Sequence, residues 1–175
     1  MRSCQGLRRW WKQAVGVSAV GVLLAGCAGY KLGSTLPPDI KTVHVLPFVN
    51  QSGEPLLENQ TMRAAISEFQ KDGTLRVVDS DAADLLVDVT LTECKLDPVR
   101  YNQDSARTAQ EYRLWIRGKI RVRRQPAGTV MFAGGVVGET TFDFAGDLSS
   151  ARTRAIPAAS SDLAHKIVES VVEYW

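Results

Sequence analysis

Histidine and cysteine are scarce in this sequence: two of the first and three of the second among 175 residues. His44 stands in a strand-like stretch and His165 in a helix-like one. No HExxH, no CxxC and no other paired ligand spacing occurs. The two read as a core-edge and a surface histidine, so no metal and no other cofactor is expected. Also lacking is an uninterrupted apolar run of the roughly 20 residues that a transmembrane helix needs. There is no low-complexity tract and no repeat at a solenoid period, and the composition is that of one ordinary globular domain. The glycines of "GGVVG" (134–138) precede no helix, so they are expected to form a bulge rather than a phosphate cradle. Ser149-Ser150 lacks a GxSxG elbow and is read as a helix cap. Asp81 and Asp84 mark a turn, and lone Cys94 is a small packing residue. No catalytic residue is assigned, and the chain is not expected to be an enzyme.

Acidic residues are missing from the first 26 positions, which hold Arg2, Arg8, Arg9 and Lys12. A stretch from Ala14 to Gly26 follows with no charge at all. A basic segment and then a short apolar one is the layout of an export signal. A buried helix would carry a polar stripe, and only Ser18 is there to supply it. Leu24-Ala25-Gly26-Cys27 has the form of a lipobox. Ala25 and Gly26 are small enough for a protease groove, and the Cys27 thiol is the nucleophile to be lipidated. Each buried methylene of an acyl chain adds about 0.8 kcal/mol of membrane affinity, and two or more chains anchor stably. The expected organisation is a signal peptide at 1–26, a lipidated tether at 27–40 and one domain at 41–175. Removing 1–26 takes four basic residues from the 21, against 19 acidic ones, so the net charge of +2 becomes −2. A nucleic-acid partner then loses its electrostatic basis. Cys94 is left without a partner for an intramolecular disulfide.

In the remaining chain, "KTVHVLPFVN" (41–50) is apolar on both faces and predicts a central strand. Leu57, Met62, Ala65, Ile66 and Phe69 follow at helical spacing, and Gly73 stands where a C-cap glycine belongs. "TLRVVDS" is a short strand. In 84–94, Leu85, Val87, Val89 and Leu91 alternate with Leu86, Asp88, Thr90, Thr92 and Cys94. In 111–124, Tyr112, Leu114, Ile116, Ile120 and Val122 alternate with Arg113, Trp115, Arg117, Lys119, Arg121 and Arg123. Period two buries one face only. A further strand spans 129–144, with an irregularity expected at Gly134-Gly135. Leu163, Ile167, Val168, Val171 and Val172 stripe a last helix, which Pro157 either kinks or starts. Two helices cover one face of such a sheet. The predicted fold is an α/β (α+β) two-layer sandwich, two helices on one face of a mixed four- to five-stranded sheet.

The other face would carry Arg113, Trp115, Arg117, Lys119, Arg121 and Arg123, about 7 Å apart along one strand. Two readings stand. The charges pair across strands with Asp88, Glu139 or Asp143 on a solvated face. Alternatively, the row receives a phosphorylated amphiphile or an acidic protein wall, since arginine binds phosphate through two hydrogen bonds at once.

"CAGYKLGSTLPPDIKTVHVLPFVNQSGEPLLE", "DGTLRVVDSDAADLLVDVTLTECKLDPVRY", "AQEYRLWIRGKIRVRR" and "DLAHKIVESVVEYW" together resemble the lipopolysaccharide-assembly lipoproteins, the LptE-like family. The resemblance spans residues 27–175, with Ala28 inserted between Cys27 and Gly29 as a departure. It implies a lipid-anchored outer-membrane protein facing the periplasm. Its domain would serve as plug and assembly partner of a β-barrel translocon (LptD-like), with contact to lipopolysaccharide possible. "TVHVLPFVNQSG" is also similar to envelope lipoproteins that regulate peptidoglycan synthases or build secretion pores, which is the competing expectation.

Overall fold

The computed structural model describes residues 36–101, 109–144 and 146–173. The expected signal peptide, Cys27 and most of the tether lie outside them. The chain runs β1 (Thr42–Val45), β2 (Val49–Asn50), α1 (Leu57–Asp72), β3 (Arg76–Val77), β4 (Leu85–Tyr101), β5 (Ala109–Arg124), β6 (Thr129–Asp143) and α2 (Leu148–Val172). The sheet order is β3-β1-β4-β5-β6, with β2 also pairing β4. β1 and β2 run parallel to β4, while β4, β5 and β6 form an antiparallel meander. The sheet is therefore mixed, with six strands where four to five were expected.

The first predicted strand is split by Pro47, which has no N–H to donate to a ladder. Leu46 N still reaches Val87 O and Gln51 N reaches Leu91 O, so both halves lie along β4. Phe48 turns inward and is buried. Asn50 then organises the turn into α1. Its Oδ1 accepts from Ser52 N at 3.0 Å and Ser52 Oγ at 2.7 Å. Its Nδ2 donates to Glu54 O at 2.8 Å and Glu58 Oε2 at 2.7 Å. Replacing Asn50 with alanine removes all four bonds at a partly buried site. A loss of about 1–2 kcal/mol in urea unfolding is expected.

α1 ends as its sequence predicts. Gly73 takes a φ of 73° and its N–H reaches Phe69 O. α2 begins differently from expectation. Its cap is Asp147, whose carboxylate accepts from Ser149 N at 3.2 Å and Ser150 N at 2.9 Å. The serines are the capped residues, because two free N–H groups at a helix start need an acceptor just before them. Pro157 lies well inside a continuous α2, so it does not start the helix.

Both helices lie on one face. Val43, Leu85, Val87, Leu91, Leu114, Ile116, Ile120 and Val122 of the sheet meet Leu57 and Phe69 of α1 and Leu163 and Ile167 of α2 in one buried cluster. The alternation read in β4 holds from Leu85 to Leu91 and then shifts. A bulge between Leu91 and Glu93 makes Thr92 an extra residue. A one-residue insertion flips every later side chain. Cys94 and Leu96 therefore turn toward the helices and pack on the core, while Glu93 pairs with Arg117 and Asp97 with Arg113 in the register. This corrects the sequence reading, which put Cys94 on the polar face. The irregularity expected at Gly134-Gly135 is elsewhere: both pair regularly with Ile120 and Lys119, and the register shifts between Val122 and Arg123, where Met131 is the extra residue.

Candidate functional site: the open sheet face

β5 presents Arg113, Trp115, Arg117, Lys119, Arg121 and Arg123 on the face away from the helices, as its alternation demands. Leu114, Ile116, Ile120 and Val122 between them are buried. The row is not one continuous positive surface. Arg123 Nε donates to Asp88 Oδ2 at 2.8 Å, and Arg117 Nη1 donates to Glu93 Oε2 at 2.8 Å. Arg113 Nη1 lies 3.9 Å from Glu139 Oε2. Asp143, at the far end, pairs with Arg100 at 3.6 Å instead. Trp115 is flanked by two guanidiniums, Arg113 at 5.3 Å and Arg117 at 5.8 Å from the ring centre. Exposed pairs of this kind contribute about 0–1 kcal/mol each, so they set the pattern of charge more than the stability.

Lys119 and Arg121 differ from the rest. Both are exposed, and neither has a salt bridge among the described residues. Their neighbours across β6 are Gly135 and Ala133, too small to cover them. Thr90 faces Lys119 from β4. A shallow depression of about 710 Å³ results, lined by Lys119, Arg121, Thr90, Gly135, Pro47 and Asp88, which faces Arg121 from β4. A guanidinium fork and an ammonium over a floor without bulky side chains can hold a phosphate or carboxylate. Of the six residues predicted from sequence, the structure thus sets two apart. Glu93 was missed because its parity signal is reversed by the Thr92 bulge. The glycine and alanine floor was missed because "GGVVG" was read for a bulge rather than for absent side chains, and Ala133 carried no signal of its own.

The remaining chemistry-bearing residues are engaged locally. Asp84 accepts from Lys41 N, Thr42 N and Thr42 Oγ1, bonds that hold its carboxyl below the usual range. His44 Nδ1 is 2.8 Å from Val78 O, and His165 Nδ1 is 3.2 Å from Glu68 Oε1. Burial pushes the Cys94 thiol up, against the opposing pull of Arg152, which favours the unreactive thiol form. Among the described residues no group of three His, Cys, Asp or Glu is placed to hold a metal ion.

The profile of the lipopolysaccharide-assembly family, LptE, matches residues 40–171, from just before β1 to the last turn of α2. The chain belongs to the LptE family. The match takes in every strand described above, α1 and all but the last residue of α2, including the Pro47-Phe48-Val49-Asn50 segment and the whole of β5. No curated protein is significantly similar in sequence. Solved structures share the fold. Protein XCC0632 from Xanthomonas campestris superposes with a TM-score of 0.53 at 9% identity, covering 78% of this chain and 86% of that one. Protein CT253 from Chlamydia trachomatis gives 0.52 at 12%, covering 75% and 95%. A minor lipoprotein from Acinetobacter baumannii gives 0.50 at 9%, covering 75% and 91%. At such identities these likenesses concern the arrangement of strands and helices, and the family assignment rests on the profile.

Proposed function

We propose that this LptE-family chain is an outer-membrane lipoprotein, anchored through Cys27 and facing the periplasm. It works without catalysis, as plug and assembly partner of an LptD-like β-barrel translocon. Its open sheet face receives the phosphorylated glycolipid at Lys119 and Arg121. The observation that carries the last point is the pair of cations without a salt bridge among the described residues, over a floor of glycine and alanine, the facing Asp88 being bound to Arg123. Family membership and the Leu24–Cys27 lipobox support the rest. The domain holds a partner and a ligand; it does not transform them.

Two measurements test this. Affinity purification of the full chain from detergent-solubilised envelopes should recover a β-barrel. A peptidoglycan synthase or a self-assembled ring in its place would support the competing reading. Charge reversal, Lys119→Glu with Arg121→Glu, should weaken lipopolysaccharide binding about tenfold, equivalent to about 1.4 kcal/mol, and should lessen its salt dependence. The same reversal at Arg123 and Arg117, whose charges are already engaged, should do less. Equal effects at all positions would show that the surface acts only through its overall charge.

A further inference from the structure

We infer that the outer edge of β6, from Ala133 to Val137, is a strand-pairing site for an extended segment of a partner protein. The inference concerns the outer backbone edge beside the cationic depression, with which it shares Ala133 and Gly135, and does not depend on glycolipid binding there.

Among the described residues β6 is the last strand of the sheet and pairs only with β5. In an antiparallel ladder the N–H and C=O of one residue point to the same side, and successive residues alternate. Glu139 fixes the phase. Its N–H donates to Asp162 Oδ2 of α2 at 2.9 Å, so it points away from β5. The register is regular from Asp143 back to Phe132. Val137, Gly135 and Ala133 therefore also aim their backbone groups outward, and all three are exposed. No hydrogen bond occupies those groups among the described residues.

Sheets ordinarily blunt such an edge with charge, proline, a bulge or a cover. The opposite edge, β3, is only two residues long. On β6 the devices bracket the segment without entering it. Asp162 occupies the edge at Glu139, and the Met131 bulge interrupts it on the other side. From Thr129 to Val137 the sequence "TVMFAGGVV" has no charged residue and no proline. A row of free donors and acceptors at strand spacing is complementary to the backbone of another strand.

The occupant is a partner's strand rather than a second copy of this chain. α2 lies against β6 so closely that a Cβ on Gly138 would come within 2.5 Å of Ala159 O and Leu163 N. A second copy would bring its own α2 over its own β6. Paired strands are about 4.8 Å apart, whereas packed helices need about 8–10 Å. An extended terminal segment of a partner, with its backbone groups unpaired and no helix over it, meets no such obstacle. Once in place, it would also wall the open side of the depression at Gly135 and Ala133.

The test uses the full chain and the complex isolated with it from envelopes. Hydrogen exchange at Ala133, Gly135 and Val137 should be fast in the free chain and at least about tenfold slower in the complex. Ala133→Pro removes an outward N–H without touching the β5 ladder, a position where proline is tolerated. It should lower recovery of the complex about tenfold, a change of about 1.4 kcal/mol, while leaving the thermal midpoint in place. Val137→Lys, which adds edge charge and keeps the backbone intact, should do the same and serves if the proline variant folds poorly. Unchanged exchange on assembly, full recovery of the complex with Val137→Lys, or protection that arises from self-pairing of this chain would each overturn the proposal.

Discussion

Gly138→Ala should destabilise the domain by about 3 kcal/mol and lower its thermal midpoint by roughly 10 °C. Gly138 pairs with Ile116 and faces the helices. A Cβ built there would stand 2.5 Å from Ala159 O, Leu163 N and Leu163 Cβ. Two of these are backbone atoms of α2, which no rotamer change can move. The helix must retreat as a body, and Leu163 and Ile167, both fully buried, lose packing with it. The small residues Ala151, Ala155 and Ala159 on the same side of α2 allow the close approach. Gly135→Ala is the control. Its Cβ would point to the open face and meet nothing nearer than Gly118 O at 4.0 Å. Alanine loses less backbone freedom than glycine, so that variant should be neutral or slightly stabilising. Guanidinium unfolding of the two variants side by side separates helix contact from strand propensity. If Gly138→Ala unfolds within about 0.5 kcal/mol of the parent, a range ordinary for surface substitutions, the helix does not sit where the structure puts it.

Such contacts are what sequence reading cannot supply. The alternations in Leu85–Leu91 and Tyr112–Val122 depend on the period of a strand and survive in three dimensions. The stripe of α2 and the Gly73 cap do so for the same reason. The Thr92 bulge does not announce itself, because a single extra residue leaves composition and hydropathy unchanged. It nevertheless moves Glu93 onto the open face and Cys94 off it. The candidate site was legible only as a row. Cross-strand register decides which members are neutralised, and register comes from long-range pairing. Asp88 and Glu139 were foreseen as partners, but their assignment to Arg123 and Arg113 was not. The two cations left over follow from what stands opposite them: Thr90 and Gly135 beside Lys119, and beside Arg121 Ala133 and Asp88, whose carboxylate is taken by Arg123.

Asp84→Ala should cost about 3 kcal/mol, because three donors lose an ionised acceptor together. One oxygen of Asp84 takes Lys41 N at 2.9 Å, Thr42 N at 2.9 Å and Thr42 Oγ1 at 2.7 Å. Asp84 N in turn donates to Thr42 Oγ1 at 2.9 Å. The residue thus joins the start of β1 to the start of β4, forty-two positions apart, at the point where parallel pairing begins. Parallel strands have no hairpin to align them, so a side-chain clasp at their origin has an outsized effect. The bond to Lys41 N, then those to Thr42, lower the Asp84 pKa from its ordinary 3.8. The clasp therefore contributes fully above that value and is lost as the pH falls through the lower folded value. Glu68 and Asp147 are also lowered, so acid unfolding of the parent alone does not isolate the effect. The comparison that does is Asp84→Asn, which keeps an acceptor but cannot titrate. It should be less stable than the parent at neutral pH, and the gap should close as the pH falls through the lowered folded value, where the parent's carboxyl also becomes neutral. A gap that persists unchanged into acid would assign the loss to shape and packing at the strand origin rather than to the charge that Asp84 carries.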